Sequence, residues 1–590
     1  MESGRFGHRS GKAAAHCLLW LMGGLVVLCG CSAKHYRKSA DKEVYGILQQ
    51  VERQIFGRTN AFTIDTVYSH RDPATILPAE IIADRNATNL RVINLAEALD
   101  LAFKNSREYQ TRKEQLYLRA LTLTGRRYEF GPAFTATSEA AISGSGEGSD
   151  VGSVSSQVSV SQLLKSGGKL TAALGNDLVR YFTQFTAGSG GSRSARNTAI
   201  SFLSVNLSQP LLRGFGINNP AVENLTQAER NVVYEVRSFS LYQQQFAVDT
   251  VSAYFRLVTQ KDIVRNNYRN YTNRVETTRY LQARAVDRER ESNVDDARTA
   301  ELGARRDYIN SLASFLTALD NFKLRLGLPI AEQVYLEDKD LKELIQAGLI
   351  PVEVDRDAAF QICLERQMEV LNAIDQFEDS KRKVRIAADQ LRADVNFFAS
   401  GSVESEPPDD YAHFEPQKIR YNAGIRLDLP LDRLLKRNDY RNALINFEAQ
   451  LRSLALTLDQ YKERIDAGLR AIEQARLNYL NGVESLRVAE RRVENNLMLL
   501  EAGRATIRDV RESQDNLINA QNQLANIYAS YLADRLGLLV DLGVIDIRPE
   551  KFWLLDPLDA LLKPEQRGAP PLRMPDDRVL PPQQFLEPAS

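Results

Sequence analysis

Residues 419–429 read IRYNAGIRLDL, and residues 447–465 read FEAQLRSLALTLDQYKERI. In the first stretch apolar and polar side chains alternate, which is the period of a β-strand with one apolar face. In the second stretch apolar residues recur in steps of three and four, which predicts a left-handed coiled coil. A two-faced strand that is followed by a very long helix decides the fold class of this chain.

The same combination occurs twice along the chain, which indicates a duplication. Leu326-Gly327 in the first half matches Leu542-Gly543 in the second half. Strands are predicted near 132–142, 154–164, 168–176 and 199–209, and again near 395–403 and 419–429. Helices are predicted over 94–130, 219–290, 291–327, 355–393, 438–500 and 502–541. The sequence therefore predicts a mainly α chain with a smaller β part.

The N-terminus has the features of a secretory signal peptide. Three basic residues precede an apolar run over 17–29, which is too short to span a bilayer as a mature helix. The run ends in Leu28-Cys29-Gly30-Cys31-Ser32, which resembles a bacterial lipobox. We therefore expect the mature chain to start at Cys31 and to carry fatty acid, such as palmitate, on that residue. The alternative is ordinary secretion with cleavage near Gly30 and no lipid.

The composition excludes several classes of protein. Among 590 residues, 75 basic side chains nearly balance 76 acidic ones, so no surface for nucleic acid is indicated. No apolar stretch of about eighteen residues follows residue 31, so no transmembrane helix is predicted. Cys363 is the only other cysteine outside the signal peptide, so we expect a core residue and no disulfide framework. No H-E-x-x-H or G-x-S-x-G pattern occurs, so no catalytic residue, metal site or cofactor is predicted.

Two stretches of the chain resemble the most recognisable motifs of the TolC-type outer-membrane efflux proteins. The first is Gln209-Pro210-Leu211-Leu212-Arg213-Gly214-Phe215-Gly216. The second is Glu501-Ala502-Gly503-Arg504-Ala505-Thr506-Ile507-Arg508-Asp509-Val510, followed by Gln514, Leu517, Ala525, Tyr531 and Leu536. The resemblance implies a mainly α fold with a membrane β-barrel part, built from a duplicated helix–strand-pair–helix unit. Three chains would close a twelve-stranded β-barrel that is continued by a long α-helical coiled-coil barrel.

This resemblance divides the chain into six segments. They are a lipoprotein signal peptide (1–30), a lipid-anchored N-terminal segment (31–90), a first efflux repeat (91–330), an inter-repeat connection (331–354), a second efflux repeat (355–545) and a Pro-rich tail (546–590). We expect residues 32–90 to be mostly irregular, and the tail to be disordered or to lie along the surface. The first half has four candidate strands where the family needs two. Either 154–176 forms an extra extracellular hairpin or the strand predictions are wrong.

A strand-to-helix junction is the first candidate site. Pro210 cannot donate a hydrogen bond to a sheet, and Gly214 and Gly216 permit unusual backbone angles. Together they are expected to end a strand and turn the chain into a helix. Pro430 is the counterpart of Pro210 in the second half.

A periplasmic gate is the second candidate site, and it rests on the family resemblance. The family constricts its periplasmic end with carboxylates three residues apart, and Asp509 and Glu512 occupy the matching positions. Asp296 is the carboxylate that the first repeat offers at the equivalent place. Three-fold symmetry would make each one a ring of like charge. The alternative is an ordinary solvated helix face.

The resemblance implies an outer-membrane channel that does no chemistry. It would be a homotrimer, anchored in outer-membrane lipid and extending into the periplasm. It would conduct substrates passively from an inner-membrane pump and a periplasmic adaptor (membrane fusion) protein, in either efflux or type I secretion. The alternative is a lipid-anchored periplasmic coiled-coil scaffold or tether without a pore.

Overall fold

A computed structural model of the chain describes residues 33–144, 151–181, 198–285, 290–337, 348–405, 414–429, 431–558, 561–562 and 567. The chain divides into two compact units, each assembled from three segments. The first unit comprises Met1–Ile64, Gln115–Val236 and Asp389–Asp432. The second comprises Asp65–Glu114, Arg237–Ala388 and Arg433–Ser590.

The helices and strands follow the predicted order along the chain. The strands are β1 (Leu90–Ile93), β2 (Ala133–Ser143), β3 (Val151–Leu163), β4 (Lys169–Tyr181), β5 (Thr198–Pro210), β6 (Gln333–Leu336), β7 (Asp394–Glu404) and β8 (Arg420–Asp428). The helices are α1 (Ala33–Phe56), α2 (Pro78–Arg85), α3 (Leu95–Asn105), α4 (Arg107–Tyr128), α5 (Pro220–Ala285), α6 (Glu291–Arg325), α7 (Arg356–Arg366), α8 (Met368–Asp389), α9 (Leu434–Glu501) and α10 (Ile507–Asp541).

The first unit contains an antiparallel sheet of six strands in the order β2-β3-β4-β5-β7-β8. The strands predicted from alternation are therefore confirmed. β3 and β4 form a hairpin that turns at Gly167, whose φ of +93° is in the region that favours glycine. This hairpin is hydrogen-bonded to β2 on one side and β5 on the other. Of the two alternatives for the first half, the strand predictions hold, and 154–176 forms an additional hairpin that lies inside the sheet.

The N-terminal segment departs from the sequence analysis. We expected residues 32–90 to be mostly irregular, but α1 is a helix of 24 residues. Val44 and Leu48, four residues apart, are fully buried, and the Tyr117 hydroxyl in α4 donates to Asp41 Oδ1 at 2.8 Å. The rings of Tyr45 and Tyr117 meet edge to face, 5.9 Å apart. The helix forms because α4 covers its apolar side, which local sequence does not reveal.

The long helices α5 and α9 contain 66 and 68 residues. Their predicted apolar seams are buried only in part within one chain. In α5, Val232, Phe239 and Phe246 are at most 7% exposed, and in α9, Ile465 is 1% exposed, whereas Leu451 is 50% exposed. A seam that stays exposed in one chain is available to another chain.

Two glycines mark the duplication inside the second unit. The helices predicted over 94–130 and 355–393 are each broken once, at Ser106 between α3 and α4 and at Gln367 between α7 and α8. Gly327 and Gly543 follow α6 and α10 with φ of +73° and +69°. Each glycine packs against the residue that precedes one of these breaks, since an added Cβ would collide with Asn105 or with Arg366. The matched Leu-Gly pairs therefore have the same packing in both halves.

The described part of the Pro-rich tail lies along α10. Phe552 and Trp553 are each 4% exposed. Arg535 of α10 is 1% exposed and donates to the carbonyls of Trp553 at 3.0 Å and Leu555 at 2.5 Å. The sequence suggested that the tail is either disordered or packed along the surface, and this part of the tail is packed along the surface. Most of 559–590 lies outside the described residues.

Candidate functional site

The predicted gate residue Asp509 lies in the first turn of α10, just after the turn that joins α9 to α10. Gly503 takes φ of +70° in this turn, and Thr506 caps α10. The Thr506 backbone N–H donates to Asp509 Oδ2 at 2.9 Å, and the Asp509 N–H donates back to Thr506 Oγ1 at 3.3 Å. The Thr506 hydroxyl also donates to Asp509 Oδ2 at 2.6 Å, and this bond, followed by the one from the Thr506 backbone N–H, lowers the pKa of the exposed Asp509 carboxyl. Within one chain, Asp509 therefore completes a capping box.

Glu512 and Asp296 are also exposed, and each faces an arginine. Glu512 Oε1 in α10 lies 3.3 Å from Arg492 in α9, and Asp296 in α6 lies 3.8 Å from Arg508. The second pair joins the ends of α6 and α10, so the structure brings Asp296 next to the segment that carries Asp509. The three carboxylates do not form a cluster within one chain, and exposed pairs of this kind contribute little to stability.

An ion pair between a buried arginine and an exposed aspartate lies close to these residues and was not predicted. Arg274 of α5 is 5% exposed, and its Nη2 donates to Asp515 Oδ1 of α10 at 2.7 Å and to the carbonyl of Arg511 at 3.3 Å. Burial lowers the pKa of the Arg274 guanidinium, and Asp515 opposes that shift. Arg274 and Asp515 are far apart in sequence and fit no motif, so no local signal could have identified them.

Further polar contacts join α5 to its neighbours. Asn266 of α5 donates to Asn522 Oδ1 of α10 at 3.1 Å, and Thr278 donates to the carbonyl of Ala297 in α6 at 3.3 Å. With the Arg274 pair they link three helices by side-chain hydrogen bonds, beside buried apolar residues such as Leu281 and Val510. Such contacts break at lower cost than close apolar packing.

The strand-to-helix junction has the backbone geometry that the sequence predicted. β5 ends at Pro210, and Gly214 and Gly216 have φ of +73° and +61°. Asp389, which no sequence motif identified, is 3% exposed at the end of α8 and accepts the Gly214 N–H at 2.7 Å. Arg213 pairs with Asp394 at the start of β7. The residues that follow β5 and the residues at the start of β7 therefore belong to one polar cluster.

The six-stranded sheet has one apolar and one polar face. On the apolar face several aliphatic side chains are about half exposed, namely Val158, Leu174, Leu203 and Ile425 at 56%, 51%, 44% and 67%. The opposite face is polar and includes Thr135, Gln157, Thr171, Asn206, Ser400 and Asn422. Exposed aliphatic side chains on β3, β4, β5 and β8 need an apolar environment that one chain does not provide.

Two predicted sites lie outside the described residues. Cys31, the expected lipidation site, precedes the first described residue, and Pro430 lies between two described segments. Cys363 is fully buried, and burial raises its pKa to about 12, which agrees with a core residue. Among the described residues, no helix has the length and apolar character needed to cross a membrane.

No protein-family model matches this sequence, and no curated protein matches it significantly. Solved structures do match. The CmeC outer membrane channel of Campylobacter jejuni superposes with a TM-score of 0.56 at 15% identity, over 76% of this chain and 85% of that chain. The outer membrane protein VceC of Vibrio cholerae superposes with a TM-score of 0.54 at 15% identity, over 76% of this chain and 96% of that chain. The MtrE outer membrane channel of Neisseria gonorrhoeae superposes with a TM-score of 0.54 at 14% identity, over 76% of this chain and 88% of that chain.

The protein thus has the fold of bacterial outer-membrane channels. More particularly, it is the TolC-type fold that the motifs at 209–216 and 501–510 suggested, and that resemblance is confirmed at the level of the fold.

Proposed function

We propose that this protein is the outer-membrane channel of a tripartite export system. The observation that carries the proposal is the two-faced sheet. Its exposed aliphatic face fits the hydrocarbon of a bilayer, and its polar face fits a water-filled lumen. A closed barrel is the arrangement in which such strands leave no backbone group unpaired in lipid. The chain would conduct solutes passively and catalyse no reaction.

The proposed assembly is a homotrimer, and α6 supports it. Leu302, Ile309 and Leu316 recur every seven residues along this helix, and each is at least 50% exposed. This spacing is that of a coiled-coil seam, and no partner for it exists within one chain among the described residues. A neighbouring copy would bury it. Exposed Leu451 in α9 offers a similar surface.

The proposed gate lies at the ends of α6 and α10. In a trimer, Asp509, Glu512 and Asp296 would each be repeated around a three-fold axis. Rings of carboxylates in a pore attract cations and disfavour anions. Because Asp509 is the third residue of α10 and completes the capping box with Thr506, its charge is held at a fixed place on the helix end.

The proposed location is the outer membrane, with lipid on Cys31 and the helices in the periplasm. A periplasmic adaptor protein and an inner-membrane pump would supply substrate and energy. Both small-molecule efflux and type I polypeptide secretion use a tube of this kind, and the pump would select between them.

Reconstitution tests the proposal directly. The full-length protein, extracted with detergent from purified outer membrane, should form trimers and give discrete conductance steps in a planar bilayer. The variants Asp509→Asn and Glu512→Gln should reduce cation selectivity. A monomer that is released without dissolving the bilayer and gives no conductance would refute the channel and support the periplasmic scaffold.

A further inference from the structure

We propose that the barrel wall of this protein contains eighteen strands, six from each of three copies, with the β3–β4 hairpin inside the wall. The inference rests on the proposed trimeric channel and replaces the twelve strands that the family resemblance implied. It predicts an outer pore wide enough for cargo much thicker than a single extended chain or helix.

The hydrogen-bond ladder places the hairpin in the wall. Val158 of β3 lies opposite Ala136 of β2 and Leu174 of β4, and Leu174 lies opposite Leu203 of β5. β2 and β5 are therefore separated by two full strands of 13 residues each. An extracellular appendage would leave β2 paired with β5, and the observed ladder does not do so.

The hairpin has the same two faces as the rest of the sheet. Val158 and Leu174, on its apolar side, are 56% and 51% exposed, which is similar to Leu203 at 44%. The polar side chains on that side satisfy each other. The hydroxyls of Ser138 and Ser156 lie 3.0 Å apart, and Asn176 Nδ2 donates to Ser201 Oγ at 2.8 Å. Paired polar groups of this kind are compatible with a lipid-facing wall.

The apolar stretch shifts along the strands in the way that a tilted barrel requires. Tyr421 of β8 and Phe134 of β2 lie on one row of the ladder. On β8 the apolar stretch extends from that row to Leu427. On β2 it extends from the same row in the opposite direction along the sheet, to Ile142. The centre of the stretch therefore shifts by about 20 Å over five strand spacings of about 4.8 Å, a slope near 40°. Membrane barrels tilt their strands by about 35–45°.

The two edges of the sheet fit each other. β2 and β8 are the edge strands of the described sheet, and nearly all their residues are exposed. Because six strands alternate in direction, β8 of one copy runs antiparallel to β2 of the next. Three copies then close without an unpaired edge.

The strand count sets the width of the pore. With a spacing of about 4.8 Å and a tilt of about 40°, eighteen strands give a backbone radius of about 18 Å, against about 12 Å for twelve. After about 5 Å for side chains, the lumen is about 26 Å across rather than about 14 Å. An α-helix with its side chains is about 10–12 Å wide, so a helical hairpin could enter the wider lumen.

Cysteine labelling tests the wall in intact cells. Gln157→Cys and Val158→Cys are adjacent on β3, and Ser402→Cys and Val403→Cys form the matched pair on β7. With a hydrophilic maleimide, we expect residues 157 and 402 to react at least about tenfold faster than 158 and 403, because lipid shields the apolar face. Each variant must first reach the outer membrane at the level of the unmodified protein.

The outcomes separate the two proposals. Rapid labelling at both 157 and 158, with the 402 and 403 pair still distinguished, would put the hairpin outside the wall and overturn this inference alone. If residues 402 and 403 were also labelled at equal rates, the proposal that the sheet lies in the membrane would be refuted. Electron cryomicroscopy of the native trimer in nanodiscs then counts strands directly, and twelve strands in cross-section would also overturn the inference.

Discussion

Arg274 and Asp515 form a salt bridge of 2.7 Å between α5 and α10, in which the arginine side chain is 6% exposed and the aspartate side chain is 51% exposed. The buried arginine also donates to Asn270 Oδ1 and to the Arg511 carbonyl, each at 3.3 Å, but among these partners Asp515 alone carries a negative charge to balance the guanidinium. The contact joins α5 to α10 beside the proposed gate.

Replacing Asp515 with Asn should loosen α5 near Arg274. The buried guanidinium would lose its charged acceptor, at a cost of about 1–3 kcal/mol to the local opening free energy. Hydrogen exchange of amides over 266–280 measures this change. Glu512→Gln is the matched control, because its partner Arg492 is 54% exposed and the loss should stay below about 0.5 kcal/mol. Equal exchange in both variants would contradict a supporting role for the buried pair.

Acid should fray the start of α10. The pKa of Asp509 is lowered in the folded protein, so its stabilising effect is fully present above the ordinary carboxyl pKa of 3.8 and is lost as pH falls below it. Exchange of the amides of residues 507–510 should therefore accelerate, relative to intrinsic rates, only below about pH 4. Asp509→Asn should abolish this pH dependence. A transition centred above pH 5 would assign it to another group.

Gly543→Ala should destabilise the second unit more than Gly503→Ala. Both glycines have left-handed φ, +69° and +70°, so both substitutions incur backbone strain of about 1–2 kcal/mol. Only at Gly543 would the new Cβ also meet a neighbour, 2.8 Å from the Arg366 carbonyl, whereas Gly503 faces open space. Thermal unfolding of the two purified variants, compared at equal detergent concentration, measures the difference. Similar midpoints would mean that the contact beside Arg366 adapts freely.

Ile309→Asp should dissociate the proposed trimer without unfolding its chains. Ile309 is 52% exposed in the single chain, so the charge costs nothing there but would be buried at an interface between copies. Light scattering coupled to gel filtration gives the mass of the particle. Asn310→Asp adds the same charge on an adjacent, exposed position and should leave the trimer intact. A stable Ile309→Asp trimer would exclude this seam from the interface.

The sequence predicted those parts of the fold that local pattern determines. Alternation predicted the strands at 395–403 and 419–429, the four Ser-, Thr- and Gly-rich stretches of the first half were also predicted as strands, and the periodic apolar positions predicted the long helices. Gly214 and Gly216 were correctly expected to have unusual backbone angles, because only glycine adopts them at low cost. Cys363 was correctly expected in the core.

The features that the sequence did not reveal depend on distant contacts. The breaks at Ser106 and Gln367 have no Pro or Gly to announce them, and they are fixed by packing against Gly327 and Gly543. Helix α1 needs Tyr117 as a partner. Asp389 and Arg274 are ordinary charged residues in helical sequence until the fold places Gly214 or Asp515 beside them.

The pairing of β5 with β7 also determines the order in which the protein can be assembled. Val205 of β5 lies opposite Gly401 of β7, so in the proposed outer-membrane channel the β5 edge of the first four strands stays unpaired until residues 394–404, early in the second half, have crossed the inner membrane. Open edges of two-faced strands pair readily with other chains. We therefore expect the newly exported polypeptide to need a periplasmic chaperone that keeps residues 133–210 apart from their neighbours until residue 404 arrives.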